Sequence, residues 1–236
     1  MIKKFICFLS AILVFGIAFS QKKYSVNALT GQGDIEFIGK TVKLQKETYN
    51  AFEKMKKAAL KEGINLKIVS GYRSFNSQKN IWNRKYNRFI SQGFSPKKSI
   101  EKIVEYSTLP GTSRHHWGTD IDIIDGSIKI PKSILVESNY EGNGVYSKLK
   151  KWMDDHSQSF GFYLVYTKDK IRKGFKYEPW HYSYKPLSKS MLSQYKEIKL
   201  DDFYKKTKLN GKKYIDAKFL NIYTAENISS INPALD

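Results

Sequence analysis

The stretch Pro-Gly-Thr-Ser-Arg-His-His-Trp-Gly-Thr-Asp-Ile-Asp-Ile-Ile-Asp, residues 110–125, contains two of the four histidines of this 236-residue chain. Within residues 119–124, polar and apolar side chains alternate from Asp120 to Ile123, which is typical of a strand with one buried face. We therefore expect Asp120 and Asp122 on one face of the strand and Ile121 and Ile123 in the core. Gly118 marks a point where the backbone must bend or approach another segment closely.

Side chains that commonly bind metals lie in this stretch and beyond it. Histidine is the commonest metal-ligating side chain, and a hydrolytic zinc site needs three protein ligands with nitrogen or oxygen donors and an open position for water. His115, Asp122 and His181 can supply those three ligands. Glu178 lies three residues before His181, a spacing that can set a carboxylate beside a water molecule in the site while the imidazole holds the metal.

These segments resemble the signatures of the VanY-like zinc D-alanyl-D-alanine carboxypeptidases. Residues 113–122, Ser-Arg-His-His-Trp-Gly-Thr-Asp-Ile-Asp, fit the family pattern Ser-x-His-x-x-Gly-x-Ala-x-Asp, and residues 178–181, Glu-Pro-Trp-His, fit Glu-x-x-His. Residues 70–78, Ser-Gly-Tyr-Arg-Ser-Phe-Asn-Ser-Gln, resemble the family's substrate-binding arginine segment. The motifs occur in the family's order, and the resemblance covers residues 35–195. Asp120 stands where the family usually has alanine.

The resemblance implies a zinc enzyme that removes the terminal D-alanine of peptidoglycan stem peptides. Glu178 would act as the general base that takes the proton of the attacking water. Arg73 would hold the substrate and stabilise the developing negative charge. Gln78 would also contact the substrate, and Ser113 would bond the substrate or fix the metal-binding loop. The implied architecture is an α+β fold of the hedgehog/DD-peptidase type, in which a small antiparallel sheet carries the zinc site and is flanked by helices.

Two other functions stay open from the sequence. The first is cleavage of another bond of the same polymer, as an endopeptidase or an L,D-carboxypeptidase, since related zinc peptidases share their ligands and differ in the groove. The second is a zinc-stabilised wall-binding module without hydrolytic activity, which the high charge favours and Glu178 disfavours. The loops at residues 131–144 and 168–176 would decide which bond is cut.

Two side chains beside the predicted ligands admit several interpretations. Asp120 can orient a ligand histidine, contact a substrate amine at the rim of the site, or be solvated at the strand end, in that order of preference. His116 would point away from His115 on an extended segment, and we favour a structural or rim role for it. Trp117 and Trp180 are expected to pack beside the site.

The first 20 residues have the pattern of a secretory signal peptide, with two lysines, an apolar run and a small-x-small cleavage site. The apolar run is short for a permanent membrane span, and a retained N-terminal anchor is the alternative. Cys7, the only cysteine, lies in this segment, so we expect no disulfide in the exported protein. We predict a periplasmic, extracellular or cell-envelope protein that has no transmembrane segment once the signal is removed.

The composition is strongly basic, with a formal net charge of +19 and a pI of about 9.7. Such a balance favours polyanionic partners. Export and the absence of a nucleic-acid-binding motif argue against nucleic acid. We therefore expect anionic polymers of the cell envelope as neighbours, and a generally solvated basic surface is the alternative.

Periodicity and turn residues indicate one main domain. We assign residues 21–34 to an N-terminal lead-in, 35–195 to the zinc peptidase domain, and 196–236 to a C-terminal extension packed on the domain or following it. The predicted helices cover residues 42–62, 76–90, 95–106 and 146–159, with another after residue 187. The predicted strands cover residues 66–70, 119–124, 160–167 and 177–184, and residues 131–144 form a surface loop.

Overall fold

A four-stranded antiparallel sheet organises the fold. The structure is a computed structural model that describes residues 22–236, so the predicted signal peptide and Cys7 lie outside the described residues. The strand order is β1-β2-β4-β3, and the strands are β1 (Leu66–Ser70), β2 (Asp120–Asp125), β3 (Phe162–Leu164) and β4 (His181–Tyr184). Helices pack on this sheet, which confirms the predicted α+β architecture.

The α-helices of residues 22–236 are α1 (Val26–Leu29), α2 (Lys46–Lys61), α3 (Phe75–Ser91), α4 (Pro96–Ile103), α5 (Ser147–His156), α6 (Lys185–Tyr195), α7 (Leu200–Lys205) and α8 (Ala217–Tyr223). None of them combines the length and the apolar character that crossing a bilayer requires. The start of α3 is capped by the Ser74 hydroxyl, which accepts a hydrogen bond from the Ser77 N–H at 3.2 Å. This cap sets the chain direction immediately after Arg73.

Several predicted elements are shorter in the structure because local contacts or residue types end them. The helix predicted from residue 42 begins at Lys46, since Leu44 instead pairs with Ile38 in an isolated β-bridge. The strand predicted from residue 177 begins at His181, because Pro179 lacks the N–H that a strand ladder requires. The elements predicted over residues 95–106, 146–159 and 160–167 are also shortened, to α4, α5 and β3.

The two faces of β2 separate an apolar core from a polar site. Ile121 and Ile123 have no exposed surface, and they belong to a hydrophobic cluster with side chains of α2 and α5. Asp120 and Asp122 alternate with them along the strand and therefore lie on the other face. The alternation predicted from the sequence is confirmed.

The two ends of the described chain pack against the segment that carries the histidine motif. Residues 196–236 contribute α7 and α8 to a second hydrophobic cluster that also contains Leu109 and Trp117. The N-terminal lead-in reaches the same cluster, because Leu29 of α1 is buried in it. The Leu29 carbonyl oxygen also accepts a hydrogen bond from the Trp117 indole N–H at 3.0 Å.

Candidate functional site

Three buried side chains on the sheet have their donor atoms close together. The donor atoms of His115, Asp122 and His181 all lie within 4.8 Å of one another, and no one of these residues is more than 5 % exposed. Asp122 and His181 are direct partners in the β2–β4 ladder, and Ser70 of β1 is the partner of Asp122 on its other side. The strand register thus brings together the residues that the sequence predicts as ligands.

His115 lies in a 3₁₀ turn, Arg114–Trp117, immediately before β2. Gly118 ends this turn with a φ of 65°, a left-handed conformation that favours glycine, and a Cβ there would lie 2.5 Å from a phenylalanine ring. The Nδ1–H of His115 donates to the Gly71 carbonyl oxygen at 2.8 Å, because a carbonyl can only accept. Its Nε2, 3.3 Å from Asp122 Oδ2, is therefore the nitrogen that faces the site.

His181 is held between two carboxylates. Its Nε2 lies 3.0 Å from Asp120 Oδ2, and its Nδ1 lies 3.0 Å from Glu178 Oε2. Burial by itself lowers the pKa of His181, but hydrogen bonds to Asp120 and Glu178 and the charge of Asp122 outweigh burial and raise this pKa to about 10. The surplus of negative charge around the imidazoles favours a bound cation.

Asp120 is fully buried behind His181. Its carboxylate accepts hydrogen bonds from Arg114 Nε at 2.8 Å and from the Ser183 hydroxyl at 2.6 Å. Burial raises the pKa of Asp120, but the Arg114 guanidinium and the bond to His181 outweigh burial and hold it well below its ordinary value. Because Asp120 has no exposed surface and does not line the cleft, the rim and solvated interpretations are wrong. The geometry supports the interpretation in which Asp120 orients His181.

One oxygen of Asp122 has no hydrogen-bond partner among the described residues. Asp122 Oδ1 is buried, and a buried carboxylate oxygen without a partner carries a substantial desolvation cost. A cation bound between Asp122 and the two imidazoles would offset that cost. The three residues therefore fit a metal ion in donor type, burial and separation.

A cleft of about 520 Å³ opens onto this group. Glu178 and Trp180 line it together with the three predicted ligands. The backbone N–H of Glu178 donates to the Tyr166 carbonyl oxygen at 3.2 Å, which holds the residue at the cleft wall. The carboxylate of Glu178 is therefore in reach of water or substrate that enters the cleft.

Arg73 lines the same cleft from the connection between β1 and α3. Its Nη1 donates to Gln78 Oε1 at 3.0 Å, and its Nη2 donates to the Ser70 hydroxyl at 2.8 Å. Guanidinium has five N–H donors, so donors remain for a substrate oxygen. Gln78 itself has no exposed surface and does not line the cleft. The geometry therefore supports a role for Gln78 in positioning Arg73, in place of the predicted direct contact with substrate.

Ser113 and His116, the other motif residues, differ in their access to the cleft. Ser113 lines it. His116 does not lie on an extended segment, as the sequence suggested, but in the 3₁₀ turn, where its Nδ1–H donates to the Arg73 carbonyl oxygen at 2.5 Å and its Nε2 accepts from the Gly111 N–H at 3.0 Å. Burial lowers the pKa of His116 to about 3. Its neutral ring therefore ties Arg73 to the turn that carries His115, which is a structural role.

Three tyrosine hydroxyls hold the backbone of residues 109–111, which leads into the histidine motif. The hydroxyls of Tyr195 and Tyr204 each donate to a carbonyl oxygen of this segment at 2.7 Å. The Tyr223 hydroxyl accepts a backbone N–H of the same segment at 3.0 Å. These contacts could not be predicted from the sequence. Aromatic residues in the tail were the only signal, and they do not identify partners 84 to 114 positions away.

Comparison with known proteins identifies one family. Residues 41–187 match the model of the VanY family, described as D-alanyl-D-alanine carboxypeptidase. A relative from Bacillus subtilis (strain 168), named "Putative carboxypeptidase YodJ", is 31% identical over 167 residues, which cover 70% of this chain and 55% of the relative. A D-alanyl-D-alanine carboxypeptidase from Enterococcus faecalis (strain ATCC 700802 / V583) is 31% identical over 128 residues, which cover 54% of this chain and 42% of the relative. The chain thus spans about half the length of these curated relatives.

Solved structures show the same fold. VanYB in complex with D-alanine-D-alanine matches 75% of this chain and 92% of its own chain, with a TM-score of 0.53 and 22% sequence identity. A mutant of the vancomycin-resistance D,D-pentapeptidase VanY in complex with Zn(II) matches with the same TM-score and identity over 78% of this chain. At this level of identity, the likeness concerns the α+β architecture.

Proposed function

Because the chain belongs to the VanY family of D-alanyl-D-alanine carboxypeptidases, as its motifs predicted, we propose that it is a zinc enzyme that hydrolyses the terminal D-alanine peptide bond of peptidoglycan stem peptides. The observation that carries this proposal is the buried group of His115, Asp122 and His181 in one cleft with Glu178. The VanYB structure with bound D-alanine-D-alanine supports the choice of substrate.

Zinc is the metal that suits this donor set. Two histidines and one carboxylate form a common class of catalytic zinc site, and a related VanY structure contains Zn(II). His115, Asp122 and His181 would hold the ion. His115 Nδ1 bonds to the Gly71 carbonyl oxygen, and His181 Nε2 bonds to Asp120. These two hydrogen bonds fix the orientation of the imidazole rings. When bound, zinc supplies a Lewis acid that polarises a carbonyl group and lowers the pKa of water.

Glu178 is the proposed general base. Its carboxylate lies 3.0 Å from the Nδ1 of His181, so it reaches the space between the ligand atoms. From this position it can accept a proton from the attacking water and pass the proton to the leaving amine. A wall-binding module without hydrolytic activity has no need of a carboxylate at this place.

Arg73 is the proposed group that binds the substrate carbonyl or carboxylate. Its side chain is fixed by Gln78 and Ser70 before any substrate arrives, and such preorganised donors stabilise negative charge effectively as it develops. Ser113 lies in the same cleft and would supply a hydroxyl to the substrate. These contacts determine the orientation of the peptide while Glu178 moves the proton.

Export is part of the proposal, because the proposed substrate lies outside the cytoplasm. The relatives with this activity are named as D-alanyl-D-alanine carboxypeptidases, and the basic composition is compatible with anionic polymers of the envelope as neighbours. The signal peptide that would direct export is a prediction from residues 1–20.

Incubation of the purified protein with zinc and defined stem peptides, followed by mass spectrometry, tests the function. Loss of one terminal D-alanine is the expected result. Loss of alanine only from peptides with an L,D-bond at the end would identify an L,D-carboxypeptidase, and internal fragments would identify an endopeptidase. Unchanged masses together with retained peptide binding would indicate a wall-binding module and contradict the proposal.

Replacement of Arg73 tests its role in binding the substrate. Arg73→Lys keeps the charge but removes the planar fork that contacts Gln78 and Ser70. We expect kcat/KM to fall by about 10²-fold or more, the effect typical of losing one preorganised donor, with zinc content unchanged. Steady-state kinetics and metal analysis provide the measurement, and Arg84→Lys on the exposed side of α3 is the matched control. Unaltered kinetics in Arg73→Lys would show that Arg73 does not bind the substrate.

Asp120→Asn tests whether Asp120 positions a zinc ligand. The amide keeps the shape of the side chain but loses the charge that holds His181 and pairs with Arg114. We expect zinc affinity to fall by about 10- to 100-fold, as measured by competition with a chelator. Asp120→Ala is less informative, because it also removes the oxygen atoms that accept hydrogen bonds from Arg114 and Ser183. Ser183→Ala is the control, since it leaves the Asp120–His181 bond in place. Equal zinc affinity in Asp120→Asn and wild type would contradict the assignment.

A further inference from the structure

Lys85 is a further cation of the cleft wall, which Arg73 and Arg114 also line. Lys85 of α3 faces the cleft together with Ile81, one helical turn earlier. Its side chain is half-buried. Among residues 22–236, no carboxylate lies within 4.0 Å of its ammonium group, and no hydrogen bond satisfies it. Within the described part of the chain, Lys85 is thus a partly buried charge that neither a hydrogen bond nor a close ion pair satisfies.

The surroundings of Lys85 make this lack of a partner costly. Burial lowers the pKa of Lys85, and the nearby cations Arg88, Arg73 and Arg84 lower it further, while Glu178 opposes them. A partly buried ammonium normally has a counter-charge. Lys150 of α5 follows that rule, since it is buried and pairs with Asp154. Lys85 has no such close pair, so a negatively charged group of a ligand bound in the cleft would supply it.

The position of Lys85 relative to the reacting centre follows from the helix. Gln78, which fixes Arg73, lies seven residues before Lys85 on α3, which corresponds to about 10 Å along the helix axis. One residue of an extended peptide spans about 3.3–3.6 Å. With its long, flexible side chain, Lys85 can therefore contact a group near the end of a bound peptide or a few residues from the reacting bond. Arg73 would contact the peptide at the reacting bond.

We infer that Lys85 binds a carboxylate of the peptide substrate. This inference rests on the proposed function and specifies which part of the substrate the enzyme reads. A stem peptide can present a carboxylate at its C-terminal D-alanine or on the side chain of an inner residue, and both have the same chemistry toward an ammonium group. A charge-assisted hydrogen bond of this kind corresponds to about 10- to 100-fold in affinity.

Steady-state kinetics of Lys85→Gln on a stem peptide with free carboxylates tests the inference. We expect KM to rise by about 10-fold or more, and to rise by a larger factor than kcat falls. Lys85→Arg retains a cation that can bind a carboxylate and is expected to recover most of the loss. Arg84→Gln removes the same charge from the preceding position of α3, on the exposed side, and should leave KM near the wild-type value. This pattern separates a local contact from a general effect of net charge.

Modified peptides identify which carboxylate is bound. One peptide carries a C-terminal carboxamide, and another carries an amide in place of the inner side-chain carboxylate. The ratio of kcat/KM between wild type and Lys85→Gln should fall to about one for the peptide that lacks the bound carboxylate and stay high for the other. A ratio near one for the carboxamide identifies the terminal carboxylate as the partner, and a ratio near one for the inner amide identifies the side chain.

Two results would overturn the inference, and they differ from failure of the proposed function. If wild type removes D-alanine but Lys85→Gln has an unchanged KM, the assignment of Lys85 fails alone. The same conclusion follows if the loss is equal for all three peptides, because the contact is then not with a carboxylate. If wild type hydrolyses none of the peptides, the proposed function fails and the assignment of Lys85 falls with it.

Discussion

Glu178→Gln is expected to lose most of its turnover, by about 10²- to 10⁴-fold, while it keeps its fold and its zinc. The amide has nearly the same size as the carboxylate, and His115, Asp122 and His181 are not changed. An amide cannot accept the proton of the attacking water. The contacts of the peptide with Arg73 also remain, so substrate affinity should persist. Single-turnover kinetics, zinc content and peptide binding together measure this result.

The matched control is Glu105→Gln, which makes the same chemical change at a carboxylate that pairs with Lys176 and does not line the cleft. It should retain wild-type turnover. Wild-type hydrolysis by Glu178→Gln with zinc still bound would show that Glu178 is not the base, and the proposed mechanism would then be wrong. Loss of zinc from this variant would instead assign Glu178 to the metal site.

His181→Ala is expected to lose bound zinc and, with it, the hydrolysis of stem peptides. His181 supplies one of the three donor groups, so its removal should lower zinc affinity by much more than the about 10- to 100-fold typical of losing a hydrogen-bond partner of a ligand. Metal analysis after dialysis gives the direct readout.

Thermal unfolding gives a second readout for His181→Ala. A ligand that binds only the folded state at 1,000 times its Kd stabilises that state by about 4 kcal/mol, so added zinc should raise the Tm of wild type and leave the Tm of His181→Ala nearly unchanged. His156→Ala, at the end of α5, is the control and should respond to zinc as wild type does. Full zinc occupancy in His181→Ala would remove His181 from the ligand set.

The candidate site could be predicted from the sequence because its main parts are local patterns. Alternating residues in 119–124 place Asp120 and Asp122 on one face through the two-residue period of a strand, and Gly118 marks a bend through its backbone freedom. The three-residue spacing of Glu178 and His181 is also local. Two motifs in the family's order were therefore sufficient to propose the ligands and the base before any contact was known.

The boundaries of the helices and strands, and the contacts that position the site residues, were harder to predict from the sequence. The strand that carries His181 is shorter than predicted, since its length depends on which backbone groups find partners in a neighbouring strand. Gln78 was predicted to touch substrate, but its complete burial behind Arg73 depends on how α3 packs. A pattern along one segment contains no information on what covers that segment.

The sequence by itself determined the family and the residues that form the candidate metal site, because the motifs that resemble the family lie within short segments, and this resemblance implied the α+β class. Only the tertiary structure decided that Asp120 bonds to His181, 61 positions away, and that tyrosines of the C-terminal region hold the backbone before His115. It also decided that Lys85 faces the cleft with no carboxylate of residues 22–236 within 4.0 Å of its ammonium group. The physical reason is that hydrogen bonds and charge pairs depend on distances across the folded chain, which the packing of helices on the sheet sets.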